Sequence, residues 1–392
     1  MKKKPVQDSR RLNTGAASRV YSRENVGRYS ERARQRRTGK RIRRVIVTTL
    51  VALLVCVGTA AGLWFTSIAS RINNGEIITS DLLLTLVDSN VTKEPFYMLL
   101  LGTDGRPGEE SYRADSIVLA RIDAREKEVT LISIPRDTAV EYEGSLIKIN
   151  AAHVYDGADG MVKAVNDLCD VQISHYAEIN FEGMQQLVDA LGGVEVNVPD
   201  RVDDPKAGDF VIEPGLQTLN GEQALAFCRS RAYVDGDYTR MRHQRIFLAA
   251  LANTILNKMD VSNLMGIIDS LSNMVATDMS VQDIISLVNA MRGMDTNSIW
   301  TANLPSWAGE DTYIDGQSYV FVHEDALEEM MERVNAGEDP QGPQTMGEGG
   351  DSATTGDLVN NEADDWTYGT ATTSGTSSSE EGSDGSGEEA AE

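Results

Sequence analysis

FYMLLL (96–101), SIVLARI (116–122) and VTLISI (129–134) decide the fold. Each is a short run of apolar, mostly branched residues in which hydrophobicity is continuous rather than alternating. Such runs belong to strands covered on both faces. Between the second and third lies DAREK (123–127), a polar turn, so these two strands are expected to form a hairpin. Helices follow. Phe181, Met184, Leu187, Val188 and Leu191 fall at helical spacing, which buries one face of a helix over 181–191. Gly192 and Gly193 end it, because glycine accepts the left-handed conformation past a helix C-terminus. VEVNV (194–198) alternates as a strand. Asn220, with Gln223 three residues on, reads as a helix N-cap with its capping-box partner. A longer helix starts near Thr239, with Phe247, Leu251 and Ile255 in one stripe, and helical segments continue over 261–271 and 281–294. The order predicts an α/β fold: one domain over 95–335, with a mixed central sheet between two helix layers (α/β/α).

Outward from this domain the composition changes abruptly. The 392 residues carry a formal net charge of −24, unevenly spread. Residues 1–44 hold 16 basic and 3 acidic side chains, and residues 45–70 hold none. Residues 71–335 hold 20 basic and 43 acidic ones, and 336–392 hold 14 acidic and no basic ones. VIVTTLVALLVCVGTAAGLWFTSIA (45–69) is 25 residues without a charge, and about 20 such residues cross the hydrocarbon core as a helix. A cleaved signal peptide has a short basic start and an apolar region of only about 7–15 residues, so an uncleaved anchor is expected. Lys40, Arg41, Arg43 and Arg44 directly precede the span, and basic flanks stay cytoplasmic. The expected organisation is a basic cytoplasmic arm (1–44), a single transmembrane helix (45–69), a juxtamembrane connector (70–94), the extracellular domain, and an acidic Gly/Ser/Thr-rich tail (336–392). The tail has too little apolar surface to offset ordering entropy and is expected to be disordered. The basic arm needs no nucleic acid as partner, since topology and attraction to anionic lipid account for it. A simple soluble cytoplasmic enzyme is excluded.

Walker loop, HExxH, CxxC and nucleophile elbow are all missing from the sequence, and the four histidines show no metal-ligand spacing. Arginines and aspartates instead gather at strand ends: LGTDGR (101–106), RAD (113–115), IPRD (134–137), RSR (229–231) and GDYTR (236–240). Arg240 and Gln244 are four apart, on one face near a helix N-terminus, where the dipole favours anions. A few arginines in an acidic domain point to a local pocket for one compact anion, and guanidinium forks match phosphate oxygens. Asp104 and Asp115 suit Mg²⁺, which takes one or two carboxylates plus substrate phosphates. The same residues read equally well as Arg–Asp ties between loop ends. Cys169 and Cys228 are the two cysteines outside the span, and nothing in the sequence places them within bridging distance.

Seven blocks in order resemble the LytR–CpsA–Psr family of envelope phosphotransferases: LLLGTDGR (99–106), RADSIVLARI (113–122), LISIPRDT (131–138), KINAA (148–152), VDALGGVEV (188–196), LNGEQALAFCRSR (219–231) and GDYTRMRHQR (236–245). The resemblance implies a membrane-anchored transferase outside the cell. Its donor would be a glycopolymer on a polyprenyl pyrophosphate, its acceptor a peptidoglycan sugar hydroxyl, and its product a phosphodiester formed in cell wall biogenesis. It implies that Asp104 and Asp115 hold Mg²⁺. Arg113, Arg136, Arg229, Arg231, Arg240 and Gln244 would grip the pyrophosphate. Arg136 and Arg231 would act in catalysis, with Asp237 as base for the acceptor hydroxyl. The lipid would need an apolar groove, expected between the sheet and the helix carrying Met184 and Leu187. Three positions depart from the family pattern: His243 stands where a basic Arg is usual, Asn180 where an acidic residue is common, and Cys228 is a less usual neighbour of the arginines. The alternatives are a lipid-pyrophosphate hydrolase using the same pocket and a membrane-bound envelope or transcriptional regulator.

Overall fold

The three apolar runs form neighbouring strands: β1 (Phe96–Thr103), β2 (Ala114–Asp123) and β3 (Glu128–Ser133). This is a computed structural model, and it describes residues 51–341 apart from 53–54, 61, 65, 74–75, 105–111, 234–236, 259–260, 273, 296–298 and 309–311. The basic arm, residues 45–50 of the expected span and the tail from 342 lie outside the described residues. β2 and β3 pair antiparallel from Val118↔Ser133 to Asp123↔Glu128, so the expected hairpin is present. Its turn is closed by the Asp123 carboxylate, which accepts from the backbone N–H of Arg125 (3.0 Å) and Glu126 (3.2 Å).

Next come a helix α1 (Ser80–Thr85), preceding the sheet in the chain, a small hairpin of β4 (Ala139–Tyr142) and β5 (Ser145–Lys148), and a long helix α2 (Ile149–Cys169) kinked at Asp156 and Gly157. β6 (Ile173–Asn180) then adds parallel to β1. The helix α3 (Phe181–Ala190) ends at Gly192 and Gly193, both at positive φ. β7 (Val194–Val198) pairs with β8 (Gly215–Leu219) as a separate ribbon outside the main sheet. The helices α4 (Gly221–Arg229), α5 (Asp237–Lys258) and α6 (Val261–Leu271) precede β9 (Val275–Thr277), α7 (Val281–Met291) and β10 (Ile299–Asn303). The strands β11 (Ser306–Trp307), β12 (Tyr313–Ile314), β13 (Gln317–Ser318) and β14 (Phe321–Val322) form two short ribbons before α8 (Glu324–Ala336).

Among the described residues the central sheet has the order β10-β3-β2-β1-β6-β9, and it mixes parallel and antiparallel pairs. Alternation along each strand sends apolar residues to both faces. Leu99, Leu101, Ile117, Leu119 and Ile132 pack with Met161 and Val165 of α2 and Met330 of α8. Met98, Val118, Ala120 and Leu131 pack on the other face with Phe227 of α4, Phe247 and Ala250 of α5 and Met291 of α7. Each such side chain, fully buried, contributes about 1.5–3 kcal/mol. Cys169 lies in the first layer and Cys228 in the second; both are free thiols, so no bridge joins them.

The chain divides into two units, Met1–Ser67 and Ile68–Glu392. Val55–Ile72 is an 18-residue helix of mean hydropathy 1.3. At about 1.5 Å per residue it is close to the thickness of a hydrocarbon core. Val55, Val57, Leu63 and Trp64 are exposed along it. Within the second unit the segment read as a juxtamembrane connector, 70–94, contributes to the core: Ile78 and Leu82 join the first layer and Val91 the second.

Candidate active site

The carboxyl ends of β1 and β6 and the facing end of β2 open, on the α3–α4–α5 side, into a cavity of about 800 Å³. Its inner wall is apolar: Leu100 and Val118 from the sheet, Met184 and Leu187 from α3, Leu225 from α4, and Phe247, Leu248 and Leu251 from α5. The groove expected beside Met184 and Leu187 is therefore present. α3 is held at its start by Asn180, whose side chain accepts from the Gly183 N–H at 2.8 Å. Asn180, one of the positions that depart from the family pattern, is thus an N-cap, a role an aspartate fills equally well.

The rim of the cavity is charged. Arg136, Lys206, Arg229, Arg231 and Arg240 line it with the carboxylates of Asp115, Glu178 and Asp204. Arg136 sits in a turn made rigid by Pro135, whose carbonyl accepts from the N–H (3.0 Å) and hydroxyl (2.6 Å) of Thr138. Its guanidinium is ion-paired with Asp115 and lies 3.7 Å from the Asp137 carboxylate. Burial alone would weaken its hold on the proton, but Asp237, Asp115 and Asp137 together outweigh that and raise its pKa.

Arg240 occupies the first turn of α5 and is almost wholly buried. It donates to Asp237 at 2.7 Å and to the Asp115 carbonyl at 3.4 Å. Desolvation pulls its pKa down from 12.5 to about 10; Asp237 opposes the fall, while Arg231 and Arg136 add to it. Arg231 reaches the other Asp237 oxygen at 3.0 Å, and its backbone N–H donates to Asp204 at 3.0 Å. One turn beyond Arg240, Gln244 donates to the Cys228 carbonyl (3.1 Å) and accepts from the Ser116 hydroxyl (2.9 Å). Arg229, at the end of α4, places its guanidinium carbon 4.9 Å from the centre of the Phe181 ring.

Of the residues singled out in the sequence, Asp115, Arg136, Arg229, Arg231, Arg240 and Gln244 line one cavity, and Asp237 ties two of its arginines together. Asp104 and Arg113 are exposed and do not line it; they flank residues 105–111, which lie outside the described set. His243 also stays out. It is fully buried, stacked on Phe227 (4.3 Å between centroids) and edge-on to Tyr233 (5.1 Å), and it is not among the residues that line the cavity. The imidazole therefore contributes no contact to the pocket. Lys206, Asp204, Ser116 and Glu178 were not legible in the sequence. Glu178 is buried beneath the rim, bonded by Thr103 (3.2 Å), Tyr176 (2.7 Å) and His153 (3.4 Å). Burial would raise its pKa, but His153 above all, with the hydroxyls of Tyr176 and Tyr112, outweighs burial and lowers it.

Two features match a phosphate-bearing ligand. The buried Nε–H of Arg240 has no acceptor, and a buried donor left unpaired costs about 1–3 kcal/mol. Asp104 follows the last residue of β1, and Asp115 sits at the register shift in β2 between the Gly102↔Ser116 and Thr103↔Ala114 pairs, so both belong to the same end of the ladder. Among the described residues no three His, Cys, Asp or Glu side chains gather to cage a metal. One or two carboxylates beside phosphate oxygens are, however, what Mg²⁺ accepts, since it keeps waters and substrate phosphates in its shell.

The chain is similar to proteins already known. The chain is 33% identical over 304 residues to the polyisoprenyl-teichoic acid–peptidoglycan teichoic acid transferase TagU of Enterococcus faecalis, covering 76% of this chain and 97% of that protein. The crystal structure of Bacillus subtilis TagV superposes with a TM-score of 0.56 at 26% identity, over 63% of this chain and 98% of that one. A structure of TagT bound to LIIa-WTA gives a TM-score of 0.55 at 28% identity, over 64% and 93%. The LytR_cpsA_psr family matches residues 68–336, which include every strand of the sheet and every side chain of the cavity, and the chain belongs to that family.

Proposed function

We propose that this chain is a membrane-anchored phosphotransferase that moves a glycopolymer from a polyprenyl pyrophosphate to a hydroxyl of a peptidoglycan sugar. One observation carries the reading: a single cavity joins an apolar groove to an arginine rim, the two halves of a lipid pyrophosphate. The relatives named as transferases of polyisoprenyl-linked teichoic acid to peptidoglycan support the substrate class. The apolar helix at Val55–Ile72 supports a single-pass anchor, and the basic residues before it support a cytoplasmic N-terminus with the domain outside.

In this reading the prenyl chain lies along Met184, Leu187, Phe247 and Leu251. Arg136, Arg229, Arg231 and Arg240 bind the two phosphates, and the unpaired Nε donor of Arg240 gains an acceptor. The acceptor oxygen attacks the phosphorus that bears the glycan, and the bond from that phosphorus to the bridging oxygen breaks. Lipid monophosphate leaves, its growing charge met by the arginines. As Arg231 and Arg240 turn to phosphate oxygens, Asp237 is released to take the hydroxyl proton. Asp104 and Asp115 would hold Mg²⁺, which supplies further neutralisation of phosphate charge.

The test combines the full-length chain in detergent, a synthetic polyprenyl-pyrophosphate oligosaccharide, soluble peptidoglycan strands, and Mg²⁺ or EDTA. Transfer yields the oligosaccharide joined to the strand through a phosphodiester, together with lipid monophosphate. Lipid monophosphate with only free oligosaccharide phosphate would replace the transferase by a hydrolase. Equal rates in EDTA would remove the metal.

A further inference from the structure

We infer that the β11–β14 ribbon carries a sugar-binding subsite beside the phosphate rim, with Trp307 and Phe321 as the platform for a pyranose ring of the acceptor glycan. The inference rests on the transfer reading for the identity of the acceptor, but not for the site.

Residues 306–322 include Trp307, Tyr313, Tyr319 and Phe321, four aromatics in 17 residues of a chain that is 6% aromatic. They do not form a second core. Trp307 and Phe321 are cross-strand partners stacked at 5.5 Å between centroids, and both stay partly exposed, while Tyr319 beneath them is buried. Tyr313, on the neighbouring hairpin, is 64% exposed. Two-residue strands contribute little stability of their own, so an aromatic pair held at the surface here needs another reason.

The ribbon is pinned at both ends to chain neighbours of the anion-site residues. At one end the Val320 N–H donates to the Asp137 carbonyl (3.0 Å), and the Val320 carbonyl accepts from the Ala139 N–H (2.8 Å). This sets Phe321 one residue, about 3.8 Å along the chain, from the strand directly following Arg136. At the other end the Ser306 hydroxyl is 3.2 Å from that of Tyr238, the neighbour of Asp237. Trp307 and Phe321 therefore bridge the turn bearing Arg136 and the helix start bearing Asp237, just outside the cavity lining. Polar groups lie near by: Lys148 is 2.9 Å from Asp137 and over the Tyr319 ring at 5.6 Å to the centroid, and that ring is 6.5 Å from the ring of Phe321. An aromatic face for the apolar C–H side of a sugar, with one carboxylate and one ammonium beside it for hydroxyls, is the usual make-up of a small polar-ligand site. With the prenyl chain on the apolar inner wall, the acceptor is left the outer side of the rim, and this ribbon, bonded next to Arg136 and Asp237, is an aromatic surface within reach of it.

The experiment uses the full-length chain in detergent and an uncrosslinked oligosaccharide of the peptidoglycan backbone. One arm measures binding of that glycan without donor. The other follows donor cleavage by water without glycan, and transfer with both. Trp307→Ala and Phe321→Ala should each weaken glycan binding and raise the acceptor KM by about tenfold, the scale of one stacked ring. Cleavage by water should stay within twofold of wild type, and Trp307→Tyr should recover most of the binding. Unchanged glycan binding in folded Trp307→Ala and Phe321→Ala proteins would overturn the subsite. So would an equal loss of cleavage by water, which would make the pair a structural prop of the rim. A chain that binds glycan through Trp307 yet never cleaves the lipid pyrophosphate would sink the transfer reading and leave the subsite standing.

Discussion

Arg240→Met should separate anion binding from stability. Arg240 is a buried cation with one carboxylate partner shared with Arg231, and its Nε–H has no acceptor. Desolvation, its largest influence, lowers its pKa from 12.5 to about 10. That drop corresponds to about 3 kcal/mol of unfavourable environment for the charged form. The sign follows from linkage: between pH 10 and 12.5 the unfolded chain binds the extra proton, so at neutral pH the charge is carried at a cost to the fold. Methionine has similar length and no charge, so the domain should melt at the same temperature or a few degrees higher, at about 2–4 °C per kcal/mol. Function should move the other way. One donor aimed at transition-state charge is worth about 2.7–4 kcal/mol, or roughly a hundred- to a thousandfold in rate. Thermal melting with and without inorganic pyrophosphate, alongside single-turnover transfer, measures both effects. A protein that melts well below wild type, yet gains the same stabilisation from pyrophosphate, would refute the reasoning and make Arg240 a structural tie.

Three further outcomes follow from the same geometry. Leu187→Asp puts a charge on the apolar wall beside Met184, and should abolish cleavage of long-chain donors while pyrophosphate still raises the melting temperature; equal loss of both would mean that the groove does not hold the lipid. His243 is kept below its ordinary 6.5 chiefly by burial, with Asp200 opposing, so the unfolded chain gains the proton first and stability should fall as pH drops below 6.5. His243→Phe, retaining the stack on Phe227, should flatten that part of the melting profile. Asp237→Asn should lower the donor KM, because Arg231 and Arg240 lose their competing carboxylate, while transfer slows at least a hundredfold; a slower enzyme with an unchanged KM would argue against this partner exchange.

The elements that were legible in the sequence are those whose local signals agree with their tertiary surroundings. β1 to β3 are apolar on both faces because helices cover both. Asn220 and Gln223 form the full capping box that starts α4. β6 was hidden because ISHYAEIN carries His175 and Glu178, polar residues whose partners lie mostly far along the chain: Asp278 binds His175 at 2.7 Å, and His153 and Thr103 reach Glu178. The α2 helix was hidden by the Asp156-Gly157 kink, and the 306–322 lobe by strands too short for periodicity. In the site, the arginines were legible as strand-end and helix-end residues, whereas Asp204 and Lys206 come from an acidic loop with no pattern. Their place depends on one backbone bond to Arg231 and on the β7–β8 ribbon that brings the loop there.

The join between groove and rim is set by strand periodicity. On β1 the residues facing α5 run Leu100 then Gly102, and on β2, antiparallel to it, Val118 then Ser116, paired as Leu100↔Val118 and Gly102↔Ser116. Moving toward the open end, both strands change from branched apolar to small or polar residues within two positions, and Asp104 and Asp115 come next. A Cβ at Gly102 would stand 3.1 Å from that of Ser116, pressing on the hydroxyl that holds Gln244 in place. Glycine is favoured there by close approach rather than by backbone angle. A one-residue slip of β2 would send Ser116 and Val118 to the α2 side and put Ile117 and Leu119 under α5. The polar clamp on Gln244 would be lost and the far core would receive a hydroxyl. Register therefore specifies the boundary between lipid and phosphate, and the buried leucines and isoleucines of the opposite face hold that register.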